Sequence, residues 1–207
     1  MKHIYRQGSA PGAPTLLLLH GTGGTENDLL PLAETVSPGS SVLSVRGSVL
    51  ENGMPRFFRR LAEGVFDLED LEFRTKELYD FLDSAAAEYG FDRGSVVAVG
   101  YSNGANIAGS LLFYYADALK GAILHHPMVP RRDLRLPDLS GVPVFIGAGE
   151  NDPICTPGET RELQELLEGA GAKVEVHWER FGHRLTGTEA AAAAEWFARR
   201  FGEGGLA

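Results

Sequence analysis

The stretch Gly100-Tyr101-Ser102-Asn103-Gly104 has the residue types that a nucleophilic serine needs around it. Val96 to Val99 before it are apolar and mostly β-branched, and Ala105, Ala108 and Gly109 after it are small, so the pattern predicts strand, sharp turn and closely packed helix. Glycine is needed on both sides of such a turn because a side chain would collide with the neighbouring strand or helix. The serine between them is forced into a strained conformation that presents its hydroxyl at the sheet edge. The chemistry this allows is attack on a carbonyl carbon.

A serine hydroxyl is a poor nucleophile at neutral pH and needs a base at hydrogen-bond distance, itself oriented by a carboxylate. In α/β-hydrolases, whose serine elbow this stretch resembles, the acid and then the histidine follow the serine in the chain. Of the six histidines, His3, His20, His125 and His126 precede any plausible acid loop, and His177 sits in mid-strand on a polar face. That leaves His183. For the acid, Asp152 lies in a loop after a buried strand, where parallel sheets carry their ligands, and Pro153 stiffens that loop. Glu150 is the competing carboxylate. Two N–H groups must also meet the oxyanion of the tetrahedral intermediate. The backbone of Asn103 offers one, and that of Thr22, in the loop His20-Gly21-Thr22, offers the other. Since these donors are backbone groups, exchanging Thr22 for another small residue is expected to cost little.

The elements that position these residues follow from pattern. His3–Arg6 predicts an edge strand, Thr15–Leu19 a strand apolar on both faces, Asp28–Val36 a helix and Ser41–Val45 a strand, which together make an α/β chain with a mostly parallel sheet. Residues Arg46 to Phe66 read as a long irregular loop, with Phe57, Phe58 and, further on, Met128 as candidate substrate-pocket walls. The arginines Arg56, Arg59 and Arg60 read first as a solvated surface, with selection of a polar or anionic leaving group as the alternative. Asp67 predicts an N-cap for a long helix that buries Leu71, Leu78, Leu82 and Ala85 and ends at Gly90. Further strands are expected at Leu119–His125, Pro143–Ala148 and Lys173–Glu179, the last with strict alternation and one wet face. Helices are expected at Pro157–Glu168 and after Thr186, which forms a capping box with Glu189. Between them, about seven strands flanked by helices make a single domain over residues 1–207, with no stretch large enough for a lid domain.

Composition removes several function classes. A net charge of −9 repels polyanions, and Arg56-Phe57-Phe58-Arg59-Arg60 is too short to outweigh it, so nucleic acid is an unsuitable partner. The glycines at 21, 23 and 24 lack both the dinucleotide spacing and a Gly-Lys-Ser/Thr. One cysteine, Cys155, permits no internal disulfide and reads as a small buried residue. No segment is long and apolar enough to span a membrane and the start lacks a signal-peptide core, so the cytoplasm is the expected location. A homodimer is compatible with the exposed aromatics and the edge strand.

Five ordered motifs then carry a resemblance: Leu19–Gly24, Arg56–Asp67, Gly100–Asn106, Asn151-Asp152-Pro153 and Gly182-His183. With them the chain resembles the phospholipase/carboxylesterase family of α/β-hydrolases, in particular a compact bacterial carboxylesterase branch related to acyl-protein thioesterases. The resemblance implies a Ser102–Asp152–His183 triad, an oxyanion hole at Thr22 and Asn103, no metal or organic cofactor, and hydrolysis of short-chain carboxylic esters through an acyl-enzyme. Acyl-protein thioesterases usually carry Gln after the serine, where this chain has Asn103. Competing readings are a lysophospholipase or thioesterase with the same triad, a dienelactone-type hydrolase, which no residue here demands, and a hydrolase-like binding protein without turnover.

Overall fold

Leu16 to Leu19 are wholly buried, as a strand covered by helices on both faces must be. In the computed structural model, which describes residues 1–202, this strand, β2 (Thr15–Leu19), lies within a seven-stranded sheet. The sheet order is β1 (His3–Arg6), β3 (Val42–Val45), β2, β8 (Val96–Tyr101), β9 (Gly121–His125), β10 (Pro143–Gly149) and β11 (Lys173–Glu179). Only β1 runs antiparallel to its neighbour. Helices α1 (Leu30–Val36) and α5 (Gly187–Phe201) pack on one face through Leu32, Val36, Trp196 and Phe197. Helices α2 (Leu68–Tyr89), α3 (Asn103–Tyr114) and α4 (Pro157–Gly169) cover the other through Leu71, Leu78, Leu111 and Leu163. This is the α/β-hydrolase arrangement.

The parallel register brings the strand ends into line. Leu19 pairs with Gly100, Tyr101 with His125, and His125 with Gly147, so the loops that leave β2, β8, β9 and β10 emerge side by side. The loop after β11 joins them from the edge. Thr22, Ser102, His126, Asp152 and His183 all sit on these loops.

Helix α2 shows how local signals place an element. The Asp67 side chain accepts from the Asp70 N–H and caps it, while Leu71, Leu78 and Leu82 on one face are fully buried, each worth roughly 2 kcal/mol. Four expectations change. Residues 46–66 are not irregular: they form two hairpins, β4 (Val49–Glu51) with β5 (Met54–Arg56) and β6 (Arg60–Ala62) with β7 (Val65–Phe66). Helix α1 starts at Leu30 rather than Asp28, because Thr25 to Asp28 are spent in a turn in which the Thr25 hydroxyl donates to Asp28. Strand β11 does not alternate between dry and wet faces, since α5 lies over its polar side and Glu179 there accepts from Thr186 and Thr188. The capping box at α5 is half formed: Thr186 Oγ1 accepts from the Glu189 N–H, but the Glu189 carboxylate turns inward.

Candidate active site

Strand β8 delivers Ser102 at φ 52°, ψ −113°, a conformation that costs energy for a residue with a β-carbon. The strain is imposed by packing. A β-carbon on Gly104 would collide with the Leu19 backbone of β2, and one on Gly100 with the backbone of Gly104. Helix α3 therefore approaches the sheet closely and its N-terminus begins at the serine. The Asn103 N–H, one of the first-turn donors without an intrahelical partner, points from that terminus.

Ser102 Oγ lies 2.9 Å from His183 Nε2, and His183 Nδ1 lies 2.8 Å from Asp152 Oδ2. The structure thus brings the three candidate residues into one hydrogen-bonded chain. Glu150, the competing acid, is turned to solvent and pairs with Arg180. Asp152 is almost fully buried, and its other oxygen accepts the N–H groups of Ile154 and Cys155 at 2.8 and 3.0 Å. Burial by itself would raise its pKa, yet the bonds from His126, His183 and the two amides hold it well below the usual carboxylate range. An ionised carboxylate only accepts, so His183 carries its ring proton on Nδ1 and presents a bare Nε2 to the serine.

The loop after β2, which carries Thr22, is held by His20 and Arg56, to which the sequence assigned no such part. His20 is buried; its Nε2 accepts the Gly47 N–H at 3.0 Å and its Nδ1 donates to the Gly21 carbonyl at 2.6 Å. Burial lowers its pKa, which suits this neutral, bridging tautomer. Thr22 has a side-chain role as well, since its Oγ1 accepts from Arg56 Nη1 at 2.6 Å. Arg56 is not a surface arginine. It is buried, its Nε donates to the Phe58 carbonyl, and it pairs with Glu51 at 3.3 Å.

Ser102 opens into a cleft of about 330 Å³ whose walls include Thr22, Arg56, Arg60, Phe66, Met128 and Cys155. Met128, a candidate wall residue, lines this cleft. Phe57 and Phe58 are not on the wall: both are buried in the core, Phe57 with its ring 4.8 Å from that of His20 and Phe58 edge-on to Phe66 at 5.0 Å. They anchor the hairpin segment that puts Arg56, Arg60 and Phe66 at the cleft. Asn103 Oδ1 accepts the Phe57 N–H at 2.7 Å and so ties this anchor to the elbow. Cys155 is buried as expected; its Sγ donates to the His126 carbonyl at 3.1 Å and burial pushes its thiol pKa up, which leaves it unreactive.

Five loops at the C-terminal edge of a parallel sheet, with a serine elbow among them, define a hydrolase of the α/β-hydrolase fold. The sequence profile of the dienelactone hydrolase family matches residues 60–197, and the chain belongs to that family. It is similar to MhqD of Bacillus subtilis (strain 168), a protein whose name calls it a hydrolase, with 61% identity over 95% of this chain and 98% of that one. The crystal structure of a Bacillus cereus carboxylesterase is 65% identical over 97% of this chain and 95% of its own, with a TM-score of 0.96. YahD, solved with malic acid, is 32% identical over 96% of this chain and 98% of its own, with a TM-score of 0.91. The dienelactone family is the one that no individual residue argued for in the sequence. No helix among the described residues is long and apolar enough to cross a membrane.

Proposed function

We propose that the protein is a carboxylesterase for small esters, with Ser102 as nucleophile, His183 as base and acid, Asp152 as orienting carboxylate, and the N–H groups of Thr22 and Asn103 as oxyanion hole. The observation that carries this reading is the unbroken chain Ser102 Oγ, His183 Nε2, His183 Nδ1, Asp152 Oδ2 at 2.9 and 2.8 Å, opening on a cleft at the small end of the range for ligand sites. The resemblance to a carboxylesterase across nearly the whole chain supports the ester class, and a lactone is itself a cyclic carboxylic ester.

His183 takes the Ser102 proton as Oγ attacks the ester carbonyl. The negative oxygen of the tetrahedral intermediate is met by the two backbone N–H groups, and the alcohol leaves with the proton from His183. Water then repeats the sequence on the acyl-enzyme and releases the acid. Asp152 keeps the imidazole in the tautomer that can accept the proton and stabilises the imidazolium that forms.

A second feature narrows the substrate. Arg56 and Arg60 share Glu51, bidentate with Arg60, and Glu63 lines the same cleft, so two guanidinium groups there are matched by two carboxylates. What the arginines offer a substrate is N–H donors rather than net positive charge, which suits small esters with a polar group, in keeping with the malic acid bound by YahD.

Hydrolysis of p-nitrophenyl esters from acetyl to palmitoyl, compared with succinyl-type monoesters, tests both points. Expected are a short-chain optimum, labelling of Ser102 by a fluorophosphonate, and a loss of about a thousandfold or more in kcat for Ser102→Ala and His183→Ala. A palmitoyl optimum would move the assignment to a lysophospholipase or thioesterase, and an unlabelled folded enzyme would end the triad reading.

A further inference from the structure

Behind Asp152 the structure holds two more histidines and a second carboxylate, all buried and none used by the triad. His126, the residue after β9, has its ring between two acids: Nδ1 is 2.9 Å from Asp152 Oδ2, and Nε2 is 3.1 Å from Glu189 Oε2. His125, the last residue of β9, binds the other oxygen of Glu189 through Nδ1. Glu189 lies in the first turn of α5, fully buried.

Proton accounting constrains this cluster. Asp152 Oδ2 faces His183 Nδ1 and His126 Nδ1 at once, while Oδ1 takes two backbone amides, so every contact of this carboxylate is one in which it accepts. Glu189 likewise faces a ring nitrogen with each oxygen. For all four of these side-chain contacts to be hydrogen bonds with both acids ionised, His126 must carry a proton on each nitrogen. We propose that His126 is a positioning residue of the ester-hydrolysing site, an imidazolium clamped between Asp152 and Glu189 that fixes the carboxylate orienting His183 and offsets part of its negative charge. The proposal rests on the triad assigned above.

Three independent features fit a built site. His126 is held at φ +54°, a strained value for a residue with a side chain, and its amide is bonded to the Gly147 carbonyl of β10. Gly147 leaves the room: a β-carbon there would overlap the Glu189 carboxylate. The remaining groups facing the ring are His183, with ring centroids 5.2 Å apart, and Tyr101 at 6.1 Å, while the Cys155 thiol bonds the His126 carbonyl. Burial alone would lower the His126 pKa, but the bonds to Asp152 and Glu189 raise it to about 9, and burial of Glu189 is outweighed by His125 and His126, which hold it at about 2.

A fixed positive charge beside the triad opposes the uptake of further positive charge at the site, and its removal relieves that opposition. In His126→Gln the acid limb of the kcat/KM profile should therefore move up by roughly one pH unit, and kcat should fall by about tenfold or more with KM nearly unchanged. A merely structural role would lower the thermal midpoint and leave the acid limb where it was, and a folded variant with that outcome overturns the proposal. Should the variant fail to fold, long-range 1H–15N spectra of the wild-type protein at pH 7.5 decide the matter. Both ring nitrogens of His126 protonated is the expected result, and a bare nitrogen overturns it. Wild-type enzyme that a fluorophosphonate does not label would remove the triad assignment and this proposal with it, whereas normal labelling with an unmoved acid limb removes the role of His126 alone.

Discussion

Tyr101 donates its phenolic hydrogen to the carbonyl oxygen of His183 at 2.7 Å, so the residue immediately before Ser102 holds the loop that carries His183. The end of β8 thereby fixes both Ser102 and His183, the two partners of the proposed proton transfer. Tyr101→Phe should lower kcat by about tenfold with KM nearly constant, and should cost about 1 kcal/mol of stability, the usual worth of one hydrogen bond. Steady-state kinetics with thermal unfolding checks this; an unchanged kcat would mean that the loop is held without the phenol.

The side chain of Thr22 separates two substitutions that a backbone-only role would treat alike. Thr22→Ser keeps an acceptor for Arg56 and should stay within about twofold of wild type, whereas Thr22→Val leaves a buried guanidinium nitrogen unpaired and should cost roughly 2 kcal/mol in stability. Denaturant titration of the pair measures the difference. Equal behaviour would return Thr22 to the role its backbone alone provides.

Stability should fall on the alkaline side. The His126 pKa is raised from 6.5 to about 9, so below pH 6.5 the group is protonated folded or unfolded and its contribution is fully present. Between 6.5 and about 9 the unfolded chain binds fewer protons than the folded one, and the contribution is lost. Glu189 works in the opposite sense: depressed from 4.5 to about 2, it adds stability above pH 4.5 that disappears as the pH falls through about 2. Melting curves should thus show a plateau near pH 5 to 6.5 and a decline towards pH 9 that His126→Gln flattens. A wild-type midpoint that is level from pH 7 to 9 would contradict this.

Gly147→Ala puts a methyl group where the Glu189 carboxylate sits. A long side chain could ordinarily swing aside, but Glu189 is pinned at both oxygens by His125 and His126. The expected cost is about 2 to 4 kcal/mol, from overpacking together with disruption of a buried ionic network. Urea unfolding measures it, and a cost near zero would show that Glu189 can leave its site.

What could be read in the sequence was what depends on neighbours in the chain. The strand Thr15–Leu19, the Asp67 cap and the Ser102 elbow each declare themselves within a few residues, and the order of Ser102, Asp152 and His183 narrowed the partners without any distance. Phe57 and Phe58 misled because an aromatic pair in a long polar segment looks the same whether it faces a ligand or the core; only the hairpins on either side decide, and their turns carried weak signals. Glu189 was read as the second half of a capping box because Thr186 three residues earlier explained it locally. Its true partners lie more than sixty residues away in sequence, at His125 and His126, and no local pattern encodes them. The two histidines themselves were set aside because they precede the acid in the chain, a rule that concerns the base and says nothing of a residue behind the acid.

The hairpin pair between β3 and α2 supplies Arg56, Arg60 and Phe66 to one side of the cleft, while the serine, the acid and the histidine come from the loops after β8, β10 and β11. One part of the cleft wall is thus encoded apart from the loops that carry Ser102, Asp152 and His183, while Thr22, Met128 and Cys155 line it from the loops after β2, β9 and β10. The hairpin tips, where Asn52, Gly53, Glu63 and Gly64 turn the chain, carry no atom of the hydrogen-bonded chain from Ser102 through His183 to Asp152. Descendants of one ancestral enzyme could diversify their diets through that single excursion and keep the same chemistry.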